Sequence, residues 1–232
     1  MKKLILLLCM TVYGWIAYGQ DMGLSFSYFL PRNGSFSIPV SPFSIRGVGL
    51  ELNRFVSLET GGSLYRMTGL NIIGLPFTSK EPMAGSNLTL MLPAEMVVSF
   101  GKKSVRFDVR GGGFGYYGFF QKLNQGVIDR AIREMEQWVV VNSDLSFKSR
   151  PGIGWRAGTA LHIDVTRQWG LTLEVSYLAG SSFLSLEGSY TGVAKTDPIA
   201  AEIITKEVNF DKGKIDYTGL EISVGIFMLG RR

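Results

Sequence analysis

Ile153-Gly-Trp-Arg-Ala-Gly-Thr-Ala-Leu-His-Ile-Asp-Val165 and Leu171-Thr-Leu-Glu-Val-Ser-Tyr-Leu178 decide the fold of this chain. In the first, Ile153, Trp155, Ala157, Thr159, Leu161, Ile163 and Val165 fall on one parity, and Arg156, His162 and Asp164 on the other. In the second, Leu171, Leu173, Val175 and Tyr177 alternate with Thr172, Glu174 and Ser176. Ala94–Ser99, Val105–Arg110 and Gly219–Ile226 repeat the pattern, with Glu95, Arg106, Asp108, Arg110 and Glu221 on the charged side. A strand sends successive side chains to opposite faces, so these segments build a sheet with one apolar face and one ionic face. In a water-soluble barrel the ionic face would be outside. Which face turns inward is therefore the question that governs function.

The N-terminus bears on the answer. Lys2 and Lys3 precede an apolar run from Leu4 through Val12, and Ala17-Tyr18-Gly19 supplies small residues at the two positions a signal peptidase reads. This predicts a signal peptide over residues 1–19, with Gln20 opening a single domain over 20–232. The alternative is an N-terminal membrane anchor, but the run is short and is broken by Thr11, Tyr13 and Gly14. Cys9 is the only cysteine. Leu8 before it is too large for a lipoprotein signal, so the domain is expected to fold without disulfides. Charged residues make up 19%, below the usual quarter, and glycine is plentiful at 29 residues. The formal net charge of +5 includes Lys2 and Lys3 and is scattered, which argues against nucleic acid as a partner.

Eight strands are expected: 23–30, 44–52, 55–66, 87–100, 105–119, 153–165, 171–180 and 217–229. Their connections alternate between short ones (53–54, 101–104, 166–170) and long ones (31–43, 67–86, 120–152, 181–216). An even strand count, short turns at one end and long loops at the other are the signature of an outer-membrane barrel. In this layout the chain resembles the small outer-membrane β-barrels of the OmpA/OmpX type. The resemblance implies an all-β fold, an eight-stranded antiparallel transmembrane β-barrel with short periplasmic turns and long extracellular loops. It also implies a bacterial outer-membrane location, outer-membrane lipid and the barrel-assembly machinery as partners, and an interior filled with charge. Such proteins usually end on an aromatic residue; here Phe227 is followed by five more residues. Trp169, Phe55 and Phe100 at the short turns, and Trp155, Tyr117, Phe119 and Tyr65 toward the long loops, are candidates for two interfacial aromatic girdles. Pro93 inside a strand calls for a bulge.

The candidate site is a barrel-interior charge network: Glu95, Arg106, Asp108, Arg110, Arg156, His162, Asp164, Glu174 and Glu221. Eight strands enclose a space that side chains can fill, so opposed ions are expected to make a plug, with a proton or small-ion path as the alternative. Glu95 and Arg110 lie at similar distances from the 101–104 turn and are expected to pair. His162 is expected beside Asp164 and facing Glu174. Gly113-Phe-Gly115-Tyr-Tyr-Gly118 matches a dinucleotide fingerprint by letter but lies in an aromatic strand with no following helix, so its glycines are read as room for bulky neighbours. One histidine and no cysteine after residue 19 provide no metal cluster, and no cofactor is expected. In the loops, Val127, Ala131, Met135 and Trp138 share one helical face over 127–137 behind Asn124 as cap. That helix is expected to pack on the rim or to serve as a lid or partner site. Phe183–Tyr190 alternates as a wall extension, Ile199–Val208 fits helix or strand, and Asp211–Lys214 reads as a turn. The function these features favour is non-enzymatic: a structural or surface-binding barrel whose long loops meet an unknown extracellular or envelope partner. A narrow channel for small solutes or ions is the alternative. A lipid-modifying enzyme ranks below both.

Overall fold

The computed structural model describes residues 22–32, 40–67, 69–85, 87–102, 104–119, 122–194 and 202–229. The expected signal peptide lies outside them. Eleven strands and one helix are described: β1 (Met22–Pro31), β2 (Val40–Glu51), β3 (Val56–Met67), β4 (Ile72–Ile73), β5 (Asn87–Lys102), β6 (Val105–Phe119), α1 (Gln125–Glu136), β7 (Trp138–Ser149), β8 (Gly152–Asp164), β9 (Trp169–Ala194), β10 (Ile203–Asp216) and β11 (Gly219–Met228).

Eight of these strands close a ring in the order β11-β1-β2-β3-β5-β6-β8-β9. The ring is completed by an antiparallel ladder from Trp169↔Met228 to Leu178↔Gly219. The fold is therefore an eight-stranded antiparallel β-barrel. Closure leaves the wall no free edge, so each strand's backbone groups find partners on both sides. The parity of the sequence is realised: Leu171, Leu173, Val175 and Tyr177 are exposed on the outside, while Thr172, Glu174, Ser176 and Leu178 are buried inside.

Pro93 does not cause a bulge. The β5–β6 register runs without a shift from Leu88↔Phe119 to Lys102↔Val105, and on the β3 side the Thr60 hydroxyl donates to the Pro93 carbonyl at 2.6 Å. The irregularities fall on β2, where register slips between Ile45 and Val48 around Gly47, whose φ is +77°. Glycine supplies that conformation without a steric penalty, as bulges often require.

The long loops carry more structure than the sequence suggested. β9 does not stop at Gly180 but continues to Ala194, and above the ring it exchanges its neighbours β8 and β11 for β7 and β10. Phe183–Tyr190 thus does extend the wall. Of Ile199–Val208, residues 203–208 are strand and 199–201 lie outside the described residues; Asp211–Lys214, expected as a turn, lies within β10 at an irregularity between Phe210 and Gly213. α1 packs on β7 through Val127, Ile128, Ala131 and Ile132, a face shifted from the one expected; Met135 is partly buried and Trp138 opens β7 instead. Asn124 is the N-cap, yet its side chain makes no capping bond. A twelve-residue helix is marginal alone. Each buried Ile or Val contributes about 1.5–3 kcal/mol on full burial, and that packing holds the helix in place. At the helix end Lys206 (2.6 Å) and the Tyr190 hydroxyl (2.6 Å) both donate to the Glu136 carboxylate and hold it below the usual carboxylate range.

Side-chain parity makes a direct prediction. Leu173 is 48% exposed and Thr172 9%. Leu173→Arg should lower the free energy of folding into lipid vesicles by about 2–4 kcal/mol, the cost of arginine at the bilayer midplane. Thr172→Arg, pointing into the barrel, should cost less. Equal losses in urea-driven unfolding would contradict the inside-out assignment.

Candidate functional site: a charged lumen under an aromatic ceiling

The lumen has two storeys. In the half nearer the short turns, ions of both signs line the wall. Arg156 on β8 is fully buried; its Nε lies 3.1 Å from Glu95 on β5, and its Nη2 contacts Glu174 on β9 and lies 3.8 Å from Glu221 on β11. Arg110 on β6 lies 3.3 Å from Glu174, 3.5 Å from Glu59 and 3.7 Å from Glu95. Arg46 on β2 lies 2.5 Å from Glu221. Nearer the turns, Arg106 lies 3.3 Å and His162 Nε2 2.9 Å from Asp108. The His162 ring meets Phe227 edge-on at 5.1 Å. The inner face of β1 carries no charge; Ser27 bonds Ser223 at 2.7 Å and Ser44 at 3.3 Å, a hydroxyl lattice that fills the remaining sector.

Of the nine sequence candidates, eight join this network. Glu95 and Arg110 meet, although Arg110 is the register partner of Val97 and Glu95 that of Gly112, so the contact is diagonal. Asp164 does not join: it is half-buried at the end of β8, with no ion-pair partner among the described residues. His162 also departs from expectation, since it contacts Asp108 and lies opposite Thr172, while Glu174 lies opposite Ala160. Arg46 and Glu59 were missed. Glu59 shares its parity with Ser57 and Ser63 and was legible in principle; Arg46 sits beside the Gly47 bulge, where counting by two fails.

In the half nearer the long loops the lumen is apolar. Phe29, Tyr65, Met91, Phe114, Tyr116, Leu178 and Tyr217 are buried there, with Tyr116 and Tyr217 ring centroids 4.0 Å apart. Tyr65 is thus a lumen residue and not part of a girdle, whereas Phe55, Phe100, Tyr117, Trp155 and Trp169 are exposed on the outside. This layer is continuous with the packing above it: Leu70, Ile72, Phe77 and Met83 from the β3–β5 connection, the buried face of α1, and Leu184, Leu186 and Tyr190 of β9 form one apolar cluster with it. Gly113 and Gly115 do not make the room expected of them, since a Cβ at Gly115 would meet nothing within 4 Å. The room comes from β8, where a Cβ at Gly152 would strike the Tyr116 ring at 2.3 Å and one at Gly154 the Phe114 ring at 2.4 Å.

Below the ceiling a cavity of about 320 Å³ is lined by Arg46, Glu59, Arg106, Asp108, Thr172 and Phe227 among others. It ends against Arg110 and Glu174. No group of three or more His, Cys, Asp or Glu able to hold a metal occurs among the described residues.

Comparison with known proteins agrees with this architecture. The crystal structure of the outer membrane protein OprG from Pseudomonas aeruginosa matches with a TM-score of 0.58 at 10% sequence identity, covering 90% of this chain and 95% of that one. At this identity the likeness establishes the barrel fold alone. No family model and no curated protein matches the chain.

The network makes a quantitative prediction. Arg156→Met should cost about 3–5 kcal/mol, because it strands buried carboxylates. Adding Glu95→Gln should recover part of the loss, giving a coupling well above 0.5 kcal/mol in a double-mutant cycle. Additive losses would mean that the two side chains do not interact.

Proposed function

We propose that the chain is a non-enzymatic barrel of the bacterial outer membrane, oriented with its short turns in the periplasm. It presents the β7–β9–β10 sheet and α1 as a rigid surface platform to an extracellular or envelope partner. The observation that carries this reading is the aromatic ceiling. Phe29, Tyr65, Phe114, Tyr116 and Tyr217 fill the bore, and the described loop segments pack over them in one apolar cluster, so buried apolar area closes the lumen and anchors what stands above it. The outward row Leu171, Leu173, Val175 and Tyr177 supports the membrane setting, since an exposed apolar belt of this extent is unsuited to water. The bore filled with side chains supports the narrower OmpA/OmpX likeness.

The channel reading draws on the cavity at the short-turn end. A path through it would have to displace Arg110, Arg156 and the ceiling. A lipid-modifying activity would need its base at the lipid-facing surface, and His162 faces Asp108 and Phe227 inside the lumen.

Two readouts test the proposal. Asn209→Cys, on the exposed part of β10, should react with an impermeant maleimide on whole cells, and Arg167→Cys, in a short turn, only after the outer membrane is permeabilised. In planar bilayers the protein should show no discrete unitary openings. Reversed labelling would invert the orientation, and regular openings would favour the channel.

A further inference from the structure

The outer surface has a feature that neither lumen nor cap explains. On β9 the outward apolar row resumes above Tyr177 at Phe183, which is 52% exposed. With a rise near 3.3 Å per residue and a tilt near 40°, Phe183 stands roughly 35 Å above Trp169 along the barrel axis. The apolar band of an outer-membrane barrel is only about 25 Å tall. Phe183 therefore reaches roughly 10 Å past the hydrocarbon edge, into the headgroup layer on the long-loop side.

Cations flank it on both sides. Lys214 is its partner across the β9–β10 ladder and holds its Nζ 4.8 Å from the ring centroid. Arg150, in the β7–β8 turn, donates its backbone N–H to the Phe183 carbonyl at 2.9 Å, and the residue is exposed. The sequence of apolar and basic residues continues to either side. Ile73, exposed, lies opposite Lys214, and Ile153, 80% exposed, follows Arg150 two residues into β8. Among the described residues neither Arg150 nor Lys214 has an ion-pair partner. The neighbouring carboxylates are otherwise engaged: Glu187 by Lys148 at 3.1 Å, and Asp216, which is buried, by the Thr218 backbone N–H at 2.9 Å.

We propose that Ile73, Lys214, Phe183, Arg150 and Ile153 form a docking belt for the phosphorylated headgroup of an outer-leaflet lipid. The apolar members suit the glycerol or sugar level of the headgroup layer. The two cations stand where phosphate oxygens lie, and the guanidinium fork matches them bidentately. The belt covers one sector of the barrel, the one beneath the β7–β9–β10 platform, so a lipid held there would brace the base of that sheet. This inference rests on the outer-membrane reading above.

The test uses the full-length folded protein in neutral detergent, titrated with diphosphoryl lipid A and with its dephosphorylated counterpart and read by native mass spectrometry. Wild type should retain the phosphorylated lipid in a saturable manner. The R150Q/K214Q double variant should bind at least tenfold more weakly, the charge-keeping R150K/K214R variant should regain most of the affinity, and Lys80→Gln in an exposed loop should have no effect. Equal retention by wild type and double variant, equal retention of the dephosphorylated lipid, or a protein dimer formed in place of the lipid adduct would overturn the proposal. Heat-modifiable migration separates the two levels of failure. Folded protein that ignores the phosphates sinks only this inference, whereas protein that does not fold in detergent or lipid sinks the outer-membrane reading with it.

Discussion

The barrel is organised around the guanidinium of Arg156. It reaches from β8 across the lumen to carboxylates on β5, β9 and β11, three strands of the ring. A planar, five-donor guanidinium suits several carboxylates at once, and small neighbours leave it room to extend. The sequence provides them: Gly154 and Gly158 flank Arg156 on the inward face of β8, and a Cβ at Gly158 would lie 2.2 Å from the Ser176 hydroxyl. A charge removed from water costs several kcal/mol unless it is paired and hydrogen-bonded, so Arg156 and its carboxylates must be assembled together. Arg110 and Arg46 extend the same arrangement around the wall, and the strands that carry these groups are held in one register by it.

The ceiling follows from the same inward face. Above the ions the inward residues change from Glu and Arg to Tyr, Phe and Met without a break in parity: Arg110, Gly112, Phe114 and Tyr116 succeed one another on β6. The change turns a polar cup into an apolar plug on which the loops pack. The helix α1 and the β7–β9–β10 sheet stand on that plug, on the long-loop side of the barrel.

How much of this was legible in the sequence depended on regular alternation. Where the period of two is unbroken, as in β8, β9 and β11, the lumen residues could be listed by counting, and Arg156, Glu174 and Glu221 were found. Where a bulge intervenes, as at Gly47 on β2, counting lost Arg46. Tyr65 reads as a girdle residue because aromatics near loops suggest one, although it shares its parity with Glu59. Asp164 has the right parity but sits past the last rung that the network reaches. The β7–β9–β10 sheet was only partly visible, since an alternating segment shows that a strand exists but not which partners it exchanges above the ring. The helix face was shifted because tertiary packing on β7 selected Ile128 and Ile132.

The claim on which the account rests is that the uncharged parity faces lipid and the charged parity faces the lumen. A nitroxide scan over residues 171–178 in folded, vesicle-embedded protein measures it directly. Collision with dissolved oxygen, which concentrates in hydrocarbon, should peak at Leu171, Leu173, Val175 and Tyr177 and fall at Thr172, Ser176 and Leu178. A flat profile, or one with the opposite phase, would contradict the account.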